Sequence, residues 1–148
     1  MFYQCSALTI PPKTIGSGTA TGCCSNMFNG CSSLTYSPKL LCNNLSSPYG
    51  TYQYEFMFAN CSALKKSPAL SSTRVTNNCY NSMFLNCTSL TTAPSLKPAN
   101  IATGEFSNMF SGCTSLTDIS AIKLHATQTG YYGCDAMFAY CTSLKKIP

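Results

Sequence analysis

The 148-residue sequence is poor in several residue types on which common folds and activities depend. It has no tryptophan, one valine, one histidine and four acidic residues. Because β-branched residues concentrate in strands, the near absence of valine argues against a sandwich or barrel of long strands. Catalysis usually requires a nucleophile beside a base, or a pair of carboxylates. The acids are scattered along the repeats described below, so we expect no enzyme activity and no catalytic residues; they are Glu55, Glu105, Asp118 and Asp135.

Charge and apolar runs are also limited. The net charge is +5, but only 9% of residues are charged and no charged run exceeds two residues, which argues against bulk nucleic-acid binding. No apolar stretch approaches the roughly 20 residues of a membrane-spanning helix, and the first residues lack the basic and apolar regions of a signal peptide. We therefore expect no membrane insertion of this segment. The 45% hydrophobic content still predicts a buried core.

The 11 cysteines do not have the spacing of a metal site. No Cys-x-x-Cys occurs, and the single histidine, His125, lies in a polar stretch typical of a surface loop. We expect no metal and no cofactor.

One string dominates the chain. Met-Phe-x-x-Cys-[Ser/Thr]-[Ser/Ala]-Leu occurs six times, and in five copies a proline follows eleven positions after the Met; the copies begin at Met1, Met27, Met57, Met83, Met109 and Met137. Self-similarity at a period of 26 to 30 residues predicts a repeat solenoid, which we expect to form a single domain over 1–148.

Each copy suggests a short helix followed by a short strand. Apolar residues recur at the i, i+3, i+4, i+7 positions of a helix, for example Cys24, Met27, Phe28 and Cys31, and Gly30 is suited to a helix end. The Ser-Leu-Thr-x-x-Pro stretch that follows reads as a strand ended by proline. The predicted fold class is an α/β repeat solenoid, with a parallel sheet of short strands, short helices on the opposite face and about six rungs.

The units MFNGCSSLTYSPKL and MFLNCTSLTTAPSL resemble the BspA-like leucine-rich repeats, in which Phe, Cys, Leu and Pro occupy the same columns. Members of that family are typically modules of bacterial, phage or protist surface proteins. The resemblance implies a non-enzymatic module at the cell surface or outside the cell. Its partner would be a protein or glycan on a host or neighbouring cell, bound for adhesion or receptor recognition.

In a solenoid, ligands usually bind the outward residues of successive strands. We call this predicted surface the threonine–lysine face; it comprises Thr35, Tyr36, Lys65, Lys66, Thr91, Thr92, Thr117, Asp118, Lys145 and Lys146. A solvated surface kept soluble by lysine is the alternative interpretation. The longer second unit adds a candidate binding loop over 41–52, with Tyr49 and Tyr52 as possible anchors.

Two further sets of residues follow the repeat. One cysteine per copy forms a structural cysteine ladder, expected as buried free thiols because side chains stacked in register point the same way; it comprises Cys5, Cys31, Cys61, Cys87, Cys113 and Cys141. Possible N-glycosylation sequons begin at Asn44, Asn60 and Asn86. In a chain rich in Asn, Ser and Thr, chance explains them equally well.

The outermost units suggest an alternative function. The first and last copies lack the polar capping repeats that a solitary solenoid usually needs. Such ends could stack one chain on another through a contact that does not close, giving a structural repeat protein that forms a fibre or filament from copies of itself.

Overall fold

A computed structural model describes residues 1–16, 21–41, 51–70, 72, 76–124 and 129–146. These residues contain no helix. Two short strands, β1 (Thr14–Ile15) and β2 (Lys39–Leu40), pair in parallel, with Thr14 opposite Lys39. The predicted α/β solenoid with helices and about six rungs is therefore wrong. His125 lies outside the described residues.

The stretches predicted as helices are chains of overlapping turns. We call them the turn segments; they cover 1–5, 21–31, 51–61, 77–87, 103–113 and 131–141. Within them, the N–H of alternate residues donates to the carbonyl three residues earlier, as in Met27 to Cys24 (3.2 Å) and Cys31 to Phe28 (3.0 Å). In the longer segments every fourth residue has a positive φ, for example Asn26 (56°) and Gly30 (79°). Residues with positive φ cannot continue a right-handed α-helix. They occupy the third position of every second turn, where a type II turn requires a positive φ.

In every turn segment before 131–141, the remaining N–H groups bind the next segment along the chain. Phe28 donates to the carbonyl of Met57 (2.9 Å), and Phe58 donates to that of Met83 (2.9 Å). Each of these segments thus uses about half of its donors internally and half between repeat units. The backbone is satisfied without a helix or a continuous sheet.

Stacking of equivalent side chains builds the core. The motif phenylalanines form one column with ring centroids 5.2 to 5.8 Å apart and ring planes within 8° of parallel. Tyr54, Tyr80 and Phe106 form a second column at 5.9 Å. These separations suit offset stacking, and the inner rings are almost fully buried.

The predicted positions of the strands are also wrong. In the described residues, the stretch predicted as a strand forms at most isolated parallel bridges, Tyr36 with Lys66 and Thr92 with Asp118. Strands β1 and β2 instead follow Pro12 and Pro38. Proline has no N–H to donate, so continuous pairing begins beyond it.

Candidate functional site

All ten residues of the threonine–lysine face are exposed. The isolated bridges place two pairs of units side by side on it. Tyr36 lies opposite Lys66, and the Lys65 N–H donates to the carbonyl of Thr35 (3.1 Å). In the other pair, Thr92 lies opposite Asp118. Successive repeat units therefore contribute side chains to a shared outer surface.

A groove of about 480 Å³ lies between these two pairs of units. It is lined by basic and hydroxyl side chains and one alanine, with no carboxylate: Lys65, Lys66, Ser67, Ser89, Thr91, Thr92 and Ala93. Its volume is in the range of small-ligand sites. Ammonium groups and hydroxyls are donors suited to carboxylate, sulfate or hydroxyl oxygens of a ligand.

Asp118 is the one carboxylate of the threonine–lysine face. Its Oδ1 accepts hydrogen bonds from the hydroxyl (2.7 Å) and the backbone N–H (2.9 Å) of Ser120. These bonds lower the pKa of the Asp118 carboxyl. Ser120 stands where the other copies have proline, so the N–H that proline lacks is used here to hold the carboxylate.

The candidate loop is only partly described. Tyr49 and Asn44 lie outside the described residues. Tyr52 belongs to a turn segment, where its N–H donates to the carbonyl of Asn77 (3.3 Å) and its φ is 56°. Its ring is 42% exposed. Tyr52 therefore lies at the junction of the predicted loop and a turn segment, and it reaches the surface.

The other two sequon asparagines belong to a hydrogen-bonded column. The amide nitrogen of Asn60 donates to Asn29 (3.0 Å), and that of Asn86 donates to Asn60 (3.1 Å). Glycosylation would modify these same nitrogen atoms, and the residue after each asparagine is a buried cysteine. Both features disfavour glycosylation at Asn60 and Asn86. The column instead supports the positive φ of both residues, a conformation that asparagine tolerates.

The cysteine ladder has a regular geometry. From the second copy onward, each thiol donates to the carbonyl of the motif phenylalanine in the preceding unit at 3.0 to 3.1 Å. Burial raises the pKa of Cys61 and of Cys113 to about 12, and it raises the pKa of Cys87 well above its usual value. Thiols of this kind are poor nucleophiles, because the thiolate is the reactive form. Cys5, in the first copy, is exposed.

Sequence reasoning missed a buried polar column. Gln53 and Glu105 occupy the same repeat position, four residues before the motif Met, and both are buried. The Gln53 amide nitrogen lies 2.9 Å from the Cys23 sulfur. One side-chain oxygen of each, Oε1, has no hydrogen-bond partner. The signal was available in the alignment of the copies, because the same position holds cysteine in two other units.

Glu105 is the most perturbed acid in the described part of the chain. Its Oε2 accepts a hydrogen bond from the Ala102 N–H (2.8 Å). Burial raises its pKa to about 8, and this hydrogen bond acts in the opposite direction. Burial, and then the negative charge of Glu105, raise the pKa of Cys134. Glu55 is half-buried, and burial raises its pKa.

The described residues bring no three His, Cys, Asp or Glu side chains close enough to share a metal ion. Over the same residues, no helix has the length and apolar character needed to cross a bilayer. No protein-family model, curated protein or solved structure matches this chain.

Proposed function

We propose that this chain is a non-enzymatic binding module of the BspA-like leucine-rich repeat type. It acts at a cell surface or outside the cell, where it contributes to adhesion or receptor recognition. Its partner is a protein or glycan on a host or neighbouring cell. The threonine–lysine face binds that partner, and the groove at Lys65 and Lys66 is the centre of the contact.

The groove is the observation that carries this proposal. It joins a lysine pair from one repeat unit to hydroxyl side chains of the next, and no carboxylate lines it. A partner that presents carboxylate or sulfate groups would therefore meet positive charge and hydrogen-bond donors together. The stacked backbone beneath the groove fixes the relative positions of these side chains, which lowers the entropic cost of binding.

The buried thiols fit an extracellular location. Thiols survive in an oxidising environment when they are inaccessible and protonated. In the cysteine ladder, burial and the raised pKa of residues such as Cys61 and Cys113 meet both conditions.

The test is binding of the purified chain to arrays of cell-surface glycans and receptor ectodomains. We expect the double variant Lys65→Ala/Lys66→Ala to lose binding to whatever the wild type recognises. The matched control is Lys13→Ala/Lys39→Ala, which removes two exposed lysines outside the threonine–lysine face. A wild type without ligands on either array, or equal loss in both double variants, would contradict the proposal.

A structural role is the other function expected from the sequence. It would use the two edges of the stack rather than the threonine–lysine face, so the two roles are compatible and separable by mutation.

A further inference from the structure

The stack of turn segments leaves two unlike edges. At one edge, in segment 131–141, alternate N–H groups have no acceptor among the described residues; they belong to Tyr132, Cys134, Ala136, Phe138 and Tyr140. The equivalent groups in the preceding segment all donate to this one, for example Phe110 to Met137 (2.9 Å). This edge therefore offers donors in the spacing used throughout the interior.

The opposite edge, formed by the first copy, offers complementary carbonyls for two of these five donors, because its turn segment covers only residues 1–5. The carbonyls of Met1 and Tyr3 receive no hydrogen bond from any described residue, whereas the equivalent carbonyls of Met27 and Asn29 accept from Phe2 (2.9 Å) and Gln4 (2.7 Å). The Cys5 thiol is exposed, and no described carbonyl accepts from it. The edge at segment 131–141 thus lacks acceptors for its N–H donors, and the edge at residues 1–5 lacks donors for its carbonyls.

Both edges also expose large apolar side chains. Tyr131, Tyr132 and Tyr140 are 71 to 83% exposed at one edge, and Met1 and Tyr3 are 93% and 55% exposed at the other. Phe138 stacks on Phe110 by one ring face, and Phe2 stacks on Phe28 by one ring face. The phenylalanine column therefore has an open face at each end.

We propose that the chain assembles head to tail, with the first turn segment of a second copy seated on segment 131–141. The occupant is a second copy because the internal contacts between units already specify what fits this edge. The same register places the Phe138 N–H on the carbonyl of Met1 of the second copy, and the Tyr140 N–H on that of Tyr3. Phe2 of the second copy extends the phenylalanine column.

The register is consistent beyond the turn segment. Inside the stack, Ala63 donates to Ser32 (3.2 Å) and Lys65 donates to Thr35 (3.1 Å). The equivalent groups across the edge are the N–H groups of Ala7 and Thr9 of the second copy and the carbonyls of Thr142 and Lys145. The Cys5 thiol of the second copy reaches the Phe138 carbonyl, as Cys141 reaches that of Phe110 (3.1 Å). All these pairings are the equivalents, in one register, of contacts inside the stack.

The contact joins two different surfaces, so it does not close on itself, and repetition builds a filament. Sedimentation velocity of the purified chain over a wide concentration range tests this directly. We expect the mean mass to rise continuously with concentration. A chain that stays monomeric, or a mass that stops at a dimer, would overturn the proposal.

Two edge variants test the polarity. Tyr3→Glu and Tyr140→Glu each place a carboxylate where the contact would bury it without a partner, which blocks one edge and leaves the other open. We expect each variant alone to lose self-association and an equimolar mixture to form a dimer and nothing larger. Circular dichroism checks that both remain folded. Tyr36→Glu, at an exposed tyrosine on the threonine–lysine face, is the matched control and should assemble like the wild type. A mixture that stays monomeric, or that forms larger species, would refute head-to-tail contact.

Discussion

Replacing Glu105 with glutamine should remove most of the pH dependence of the free energy of unfolding between about pH 5 and pH 7.5. The Glu105 carboxyl is fully buried, and its pKa is raised to about 8 from 4.5. In this window the folded protein therefore holds a proton that the unfolded chain has released. The stability that the protonated carboxyl contributes is fully present below pH 4.5 and is lost as the pH rises to about 8.

The expected size of the effect is large for one residue. Each pH unit in this window changes the free energy of unfolding by about 1.4 kcal/mol, so the wild type should lose about 3 kcal/mol between about pH 5 and pH 7.5. Glutamine has no charge to bury and keeps an oxygen for the Ala102 N–H. The chain already holds glutamine at the same repeat position in Gln53, which is also buried.

Urea unfolding followed by circular dichroism at a series of pH values measures this slope. Asp135→Asn is the control, since it removes a carboxylate that is exposed, and it should keep the wild-type slope. Equal slopes for Glu105→Gln and the wild type would show that Glu105 is solvated or paired in solution and would contradict a raised pKa for its carboxyl.

Three further predictions concern packing and the thiols. Phe84→Ala should cost about 3–5 kcal/mol in urea unfolding, since it removes a fully buried ring from the phenylalanine column; a loss below about 1 kcal/mol would contradict this. Gly130→Ala should cost about 1–3 kcal/mol by the same assay, because its Cβ would overlap the backbone of Thr103, whereas Gly16→Ala, with open space around it, should be neutral. Among the described cysteines, a thiol reagent added to the folded protein should modify three exposed ones at once and the ladder from Cys31 onward only on unfolding; the exposed ones are Cys5, Cys23 and Cys134. Rapid reaction of the ladder would contradict its burial.

The repeated motif was enough to predict which columns are buried, but not the backbone that buries them. The motif Met, Phe, Cys and Leu positions fill the core in the inner copies, for example Met83, Phe84, Cys87 and Leu90. Over a segment of about eleven residues, a backbone with a four-residue turn period and a helix with a 3.6-residue period both place the same apolar positions on the side that faces the core. Apolar spacing therefore could not separate the two structures.

A different signal in the sequence does separate them. Gly22, Asn26 and Gly30 recur at intervals of four, and all three have positive φ. Glycine and asparagine are the residues that adopt this conformation most readily. In the next unit Tyr52 and Phe56 adopt it without that preference, so the signal is present in some units and absent from others. Comparison of the units shows that the position requires positive φ whichever residue occupies it.

The candidate site was more predictable than the fold because it depends on exposure rather than on the type of secondary structure. The motif leucine Leu34 is buried and the two residues after it, Thr35 and Tyr36, are both exposed, as expected if the leucine faces the core. Strict strand alternation would have placed Tyr36 on the same side as Leu34, so the exposure does not depend on a regular strand. The groove could not be predicted in this way, since it depends on how far apart two units lie. The burial of Glu105 was missed for a related reason. A carboxylate in a polar sequence is expected to be solvated. Here the repeat units that stack on both sides bury the whole repeat position, and this overrides the expectation.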